Sequence, residues 1–159
     1  MEYRKNIKNR PRGFTVIEIV VILMIIGIVA AVAMSRMTSM AAFSQMSEAD
    51  ILKGHLRYAQ YRAMSHIDPW GISFTANSYS LYYNKMPTNS TLPNEQSSTH
   101  ALASGVRITT GAGTVVNFNE WGNPVDATGA LLTEDKLIVL SDGASVQTIR
   151  VTQNTGFIP

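Results

Sequence analysis

The chain has 159 residues, a length that suits one modest domain plus a membrane anchor, and its 45% hydrophobic content predicts a folded protein. Residues 1–13 hold five Lys or Arg against Glu2, whereas the chain from Phe14 onward holds eight against ten Asp or Glu, so the basic character belongs to the first 13 residues and the rest has little electrostatic reason to bind a polyanion. Cysteine is absent, which excludes disulfides, thiol catalysis and Cys-ligated zinc.

An apolar segment follows the basic N-terminus. Residues 14–34 contain only two polar members, Thr15 and Glu18. At about 1.5 Å per residue, a helix of this length spans roughly 30 Å, enough to cross a bilayer. The flank before the segment carries five Lys or Arg, whereas the flank after it carries only Arg36 before Lys53. The positive-inside rule therefore predicts a cytoplasmic N-terminus and an exported remainder.

The residues around the start of this segment favour one kind of signal. The stretch RGFTVIEIVVILMIIGIVAAVA resembles the class III signal of type IV prepilins and type II secretion pseudopilins. The resemblance implies that a membrane-embedded prepilin peptidase cuts between Gly13 and Phe14 and then N-methylates Phe14. It also makes Glu18 the family's acidic residue at the fifth mature position. The competing interpretation is an ordinary signal peptide cleaved after the alanines within residues 30–33.

Glu18 needs a physical reason to lie in an apolar segment. A charged side chain costs about 2.5–3.5 kcal/mol at the bilayer centre on insertion scales, so a partner of opposite charge offsets much of this cost. After cleavage the amine of Phe14 lies at i, i+4 to Glu18, and the amine of a neighbouring subunit would additionally select an axial register. Alternatively, the carboxylate reaches the near interface or is protonated. Gly27 and Ala31 form a small-xxx-small pair that favours close helix packing.

Beyond the anchor the sequence predicts a continuing helix over residues 35–67, which ends before Pro69. An apolar stripe recurs there at spacings of three and four residues. Its members are Ala49, Leu52, Leu56, Ala59, Ala63 and Ile67. We predict that the stripe packs on the protein's own sheet, because the run is short for an intermolecular coiled coil.

From Gly71 onward the apolar period changes to two, which predicts strands. Runs on either side of residues 76–78 predict a β-hairpin, and the polar residues 84–103 predict a long surface loop. Four further strands are predicted at 106–109, 114–119, 136–140 and 146–152. The fold prediction is therefore α+β, with a long N-terminal helix running from the membrane into the periplasm and packed against an antiparallel β-sheet head at residues 68–159.

Three further segments narrow the resemblance. LRYAQYRAMSH, VVNFNEWGNPVD and IRVTQNTGFIP resemble segments of the H-type minor pseudopilin of type II secretion and of the related T-type minor pilin of type IV pili. The resemblance implies an inner-membrane protein that initiates, caps or spaces a filament. Its implied partners are prepilin peptidase, other pilins or pseudopilins, the inner-membrane assembly platform and membrane lipid.

The sequence predicts no enzyme, metal or cofactor. His55 and His66 are 11 residues apart and His100 lies in the predicted loop, so no metal-ligand spacing is present. Four acidic residues lack the alternating pattern of a calcium loop, and we interpret them as solvated turn residues. They are Asp126, Glu134, Asp135 and Asp142.

Two other functions compete with filament assembly. Some T-type minor pilins bind DNA through arginines in the C-terminal tail, but this tail has no arginine after Arg150, and the exported part is negatively charged, so the sequence disfavours DNA binding. A membrane-anchored periplasmic binding module that never assembles is the second alternative. Processing at Gly13 is the feature that separates it from a pilin.

Overall fold

A computed structural model describes residues 14–84 and 86–159, so the predicted leader, including Gly13, lies outside the described residues. The chain divides into two compact units, Met1–Thr38 and Ser39–Pro159, which we call the N-terminal unit and the C-terminal unit. Helix α1 (Val16–Met64) supplies residues to both.

The N-terminal unit contains the apolar start of α1. Every described side chain from residue 14 to residue 34 is exposed. The 19-residue segment Val16–Met34 has a mean hydropathy of 3.1, and its length and composition would allow it to cross a membrane.

Two antiparallel sheets form the β part of the C-terminal unit. The strands are β1 (Trp70–Phe74), β2 (Ser78–Tyr83), β3 (Met86–Pro87), β4 (Thr99–Ala101), β5 (Arg107–Thr110), β6 (Val115–Phe118), β7 (Pro124–Val125), β8 (Lys136–Ser141) and β9 (Val146–Val151). The first sheet has the order β3-β2-β1-β6-β7, with β4 also paired to β2, and the second has the order β5-β8-β9. The α+β prediction is confirmed, as are the β1–β2 hairpin and the four later strands, within one or two residues at each end.

The core of the C-terminal unit lies between α1 and the sheets. The first five members of the predicted stripe, Ala49 to Ala63, are buried in one cluster with side chains such as Ile72 and Phe118. The prediction is wrong for Ile67, which is 90% exposed. Helix α1 ends at Met64. The N–H groups of Ser65 and His66 then donate to carbonyls only three residues earlier, those of Arg62 and Ala63, as in a 3₁₀ turn. Ile67 therefore no longer follows the α-helical spacing.

The predicted surface loop at residues 84–103 is only partly a loop. Its short strands β3 and β4 both pair with β2, on successive stretches of that strand. Leu92, between them, is only 1% exposed. The polar composition indicated exposed side chains, but strands of two or three residues leave no alternating pattern by which a sequence reveals them.

Gly71 lies where the first sheet leaves no room for a side chain. It is paired with Tyr82 on one side and Asn117 on the other. A Cβ atom at this position would lie 2.2 Å from the backbone oxygen of Val116 and 2.8 Å from the Cα of Asn117. Because backbone in the middle of a sheet cannot move aside cheaply, we expect Gly71→Ala to lower the free energy of unfolding by about 1–3 kcal/mol.

Gly54→Ala is the matched control. Gly54 lies on the exposed side of α1, where a Cβ atom would have no neighbour within 4 Å. Alanine favours the helix by up to about 1 kcal/mol relative to glycine, so this variant should be at least as stable as the parent. Urea unfolding of the full chain in detergent measures both, and equal stabilities of the two variants would contradict the close approach at Gly71.

Candidate functional site

The side chain of Thr15 caps the start of helix α1. The backbone N–H of Glu18 donates to the Thr15 carbonyl at 3.1 Å and lies 3.3 Å from Thr15 Oγ1, and the N–H of Ile19 also donates to the Thr15 carbonyl, at 3.3 Å. Thr15 is therefore the N-cap residue, and Glu18 occupies the third helical position, as in the sequence pattern Thr-x-x-Glu of a capping box. The sequence interpretation of Glu18 overlooked this role, although the pattern was readable.

The cap changes how Phe14 relates to Glu18. Phe14 lies before the cap and outside the helix, so regular helical spacing does not set the distance between the two residues. Glu18 instead lies in the first turn, where a negative charge is favoured by the partial positive charge of the helix N-terminus. Both residues are exposed, Phe14 by 72%.

The predicted packing pair, Gly27 and Ala31, lies in the exposed part of α1. Both residues are exposed, and a Cβ atom built on Gly27 would have no neighbour within 4 Å. The surrounding large apolar side chains are exposed as well, for example Ile26 by 57% and Ile28 by 65%. A helix that is apolar on all sides is stable in lipid or against other apolar helices, not in water.

In the C-terminal unit, the three segments that carry the subfamily resemblance meet at Gln60. Its side-chain Nε2 donates to the carbonyl oxygens of Gly122 at 2.8 Å, Gly156 at 3.1 Å and Thr155 at 3.3 Å. Gln60 belongs to the helix segment, Gly122 to the turn after β6, and Thr155 and Gly156 to the C-terminal tail. Nothing in the sequence pattern indicates that one amide joins these segments.

The C-terminal tail is fixed against α1. Arg57 Nη2 donates to the carbonyl of Ile158 at 2.8 Å, and the side chain of Ile158 is only 2% exposed. Gly156 has a φ of +63°, and a Cβ atom there would lie 2.3 Å from the carbonyl oxygen of Gly122. The last arginine, Arg150, lies 3.7 Å from Asp135 across an exposed ion pair.

Two of the four acidic residues weighed as calcium ligands, Asp126 and Asp142, accept hydrogen bonds within their own turns. Asp126 Oδ1 accepts hydrogen bonds from Thr128 and Ala130, which lower the pKa of that carboxyl, and bonds from Ser145 and Ala144 do the same at Asp142. Among residues 14–84 and 86–159, no three His, Cys, Asp or Glu side chains are grouped so that they would hold a metal ion. The structure does bring His55 and His100 together, with ring centroids 5.8 Å apart, which their distance in the sequence did not indicate.

Comparison with known proteins gives one family match, at the N-terminus. A family model described as the prokaryotic N-terminal methylation motif matches residues 8–34, which include Gly13, Phe14 and Glu18. No curated protein and no solved structure matches the chain. Together with the α+β architecture, the motif supports a type IV pilin-like protein or pseudopilin, a class of structural proteins.

Proposed function

We propose that this chain is a minor pseudopilin that assembles into, or initiates, the pseudopilus of a type II secretion system. The observation that carries the proposal is the methylation motif at residues 8–34, which coincides with an exposed apolar helix segment. The second candidate, a minor pilin of a type IV pilus, shares this N-terminus. The three segments that meet at Gln60 resemble both kinds of protein, so the proposal keeps both machines.

The proposed life cycle begins at the inner membrane. Residues 1–13 form a cytoplasmic leader and residues 14–34 span the bilayer. Residues 35–67, which are helical as far as Met64, and the β-rich head at residues 68–159 lie on the periplasmic side. Prepilin peptidase removes the leader after Gly13 and methylates the new amine of Phe14. The Thr15 cap is consistent with this sequence of events, because the bonds that join Thr15 to Glu18 and Ile19 lie entirely within residues that remain after cleavage.

Assembly then depends on the charge at Glu18. Because Phe14 precedes the helix, regular helical spacing does not hold its amine beside Glu18 of the same chain. The proposed partner of Glu18 is therefore the methylated amine of Phe14 in a neighbouring subunit, delivered by the assembly platform. Close packing of α1 helices at Gly27 and Ala31 would accompany this pairing, since neither residue has a large side chain.

Cleavage is tested by the intact mass and the N-terminal peptide of the protein purified from its native membranes. We expect the chain to begin at N-methyl-Phe14 and Gly13→Ala to retain the leader, because the glycine precedes the scissile bond. Gly27→Ala is the matched control and should be processed normally, since the substitution lies well inside the helix. A chain that begins at Met1 would favour the non-assembling binding module, and one that begins after the alanines near residue 33 would establish an ordinary signal peptide.

The assembly role of Glu18 is tested with two substitutions. Glu18→Ala removes both the charge and the hydrogen-bonding side chain, whereas Glu18→Gln removes the charge but keeps a residue that suits a capping box. We expect both variants to be cleaved and both to be depleted from sheared filaments, because pairing with an amine requires the charge.

Thr15→Val is the control for the helix start. It removes the capping hydroxyl, which is worth about 1 kcal/mol, but leaves the carboxylate in place, so incorporation should fall less than in Glu18→Gln. Normal incorporation of Glu18→Gln would show that Glu18 acts through the cap and would refute the pairing.

The two machines are separated by deletion of the gene. If the chain serves type II secretion, exoprotein release should fall while twitching and transformation persist. The reverse pattern would assign the chain to a type IV pilus. Complementation with the Gly13→Ala variant should fail in either case, since an unprocessed subunit keeps its leader.

A further inference from the structure

Residues 92–103, which we call the strap, are attached to α1 through two histidines and a glutamate. His55 Nε2 lies 3.0 Å from the carbonyl oxygen of Pro93, and Glu48 Oε1 accepts a hydrogen bond from the backbone N–H of Ala103 at 3.0 Å. Between these points His100 of the strap contacts Glu48 of the helix. The strap also contains strand β4. This strand pairs with β2 through backbone hydrogen bonds, which do not titrate.

The ring of His100 lies between two carboxylates. Its Nδ1 is 2.6 Å from Glu95 Oε1, and its Nε2 is 2.9 Å from Glu48 Oε2. The side chain of His100 is 11% exposed and that of Glu48 9%, so little water reaches the pair. A neutral imidazole has one N–H and one lone pair, which would leave one carboxylate facing a lone pair. Only the imidazolium donates to both oxygens.

We propose that the strap is a pH-responsive element, held on α1 by the doubly protonated ring of His100 and loosened when that ring loses a proton. Loss of the proton breaks one of the two charged hydrogen bonds and leaves Glu48 and Glu95 facing a neutral ring. Glu48 keeps its bond to the Ala103 N–H, but this carboxylate, only 9% exposed, then lacks a cationic partner, which makes the closed position of the strap less favourable. Loosening of the strap before β4 would expose the buried side chain of Leu92.

The groups that face His100 titrate differently. Burial lowers the pKa of His100, but the hydrogen bonds and charges of Glu95 and Glu48 outweigh it and raise the pKa above the ordinary 6.5. Burial, with the nearby positive charge of His100, lowers the pKa of His55 below 6.5, although the bond to Pro93 opposes the shift. Tyr79 stacks on His100 with centroids 4.9 Å apart, and burial raises its pKa so far that it stays protonated.

These shifts give the attachment a pH window. The stabilisation from His100 is fully present below the unfolded pKa near 6.5 and is lost as the pH rises through the higher folded pKa. The stabilisation from neutral His55 is present above 6.5 and is lost as the pH falls through its lower folded pKa. The strap should therefore be held most firmly near the ordinary histidine pKa and loosen on both sides.

Hydrogen exchange of the full chain in detergent, measured from about pH 5 to about pH 9 to bracket the ordinary histidine pKa, tests the proposal. After correction for intrinsic exchange, protection of residues 92–103 should fall by up to about tenfold per pH unit above 6.5, until the folded pKa of His100 is passed. The β8–β9 hairpin, residues 136–151, contains no histidine and serves as the internal reference. The same pH course for strap and hairpin would overturn the proposal.

Substitutions assign the effect to His100. A glutamine side chain cannot donate from one nitrogen to two carboxylates on opposite sides. At pH 6.5, His100→Gln should therefore lower the protection of the strap to the value that the wild-type strap has at high pH. Protection of the variant should no longer fall as the pH rises above 6.5. His66→Gln is the control, because His66 is exposed and its hydrogen bond is to Arg62 O within α1. If strap protection in a folded His100→Gln protein still fell above pH 6.5 as it does in the wild type, the role of His100 would be refuted.

The wild-type protein provides a test that does not depend on a variant folding. Its three histidines can be followed by ¹⁵N NMR of the ring nitrogens. Two protonated ring nitrogens on His100 at pH 6.5, with a midpoint above that pH, would support the proposal. A neutral His100 ring at pH 6.5 would overturn it.

Discussion

The buried face of helix α1 is the constraint on which the C-terminal unit depends. Leu52, Leu56, Ala59 and Ala63 are fully buried and bring a narrow apolar surface against both sheets. The alanines matter as much as the leucines, because a small side chain lets the sheet approach the helix closely. Without this face, the two sheets, one of three strands and one assembled mostly from short strands, would have no common core.

Polar side chains on the edges of the same face fix the irregular segments. Gln45 bonds the carbonyls of Leu140 and Ser145 in the β8–β9 hairpin, Glu48 and His55 hold the strap, and Gln60 holds the tail and the turn after β6. Removing such a partner leaves a buried carbonyl or N–H unsatisfied, at about 1–3 kcal/mol each. The loops are therefore positioned by helix side chains, and their conformation depends on α1 as much as the strands do.

The repeating parts of the fold were predictable and the connecting parts were not. The stripe from Ala49 to Ala63 and the β1–β2 hairpin each show a period in the sequence, and the structure confirms both. The end of α1, strands β3 and β4 and the neighbours of His100 depend on single contacts between distant residues, which leave no period. At the candidate site, the motif around Phe14 and Glu18 was readable, whereas the cap on Thr15 was overlooked because the family resemblance already explained Glu18.

The two parts of helix α1 require different surroundings. From Val16 to Met34 every side chain is exposed and nearly all are apolar, so this part requires lipid or other helices around it. In the C-terminal unit, the apolar stripe is already covered by the chain's own sheets and cannot be shared with a partner without unfolding them. Association through a fully buried stripe would cost the core, whereas association through the uncovered segment costs only lipid contacts. In the filament role that we propose, the drive for assembly therefore lies at the N-terminal end of α1, where Glu18 would supply the charge and Gly27 and Ala31 would permit close approach.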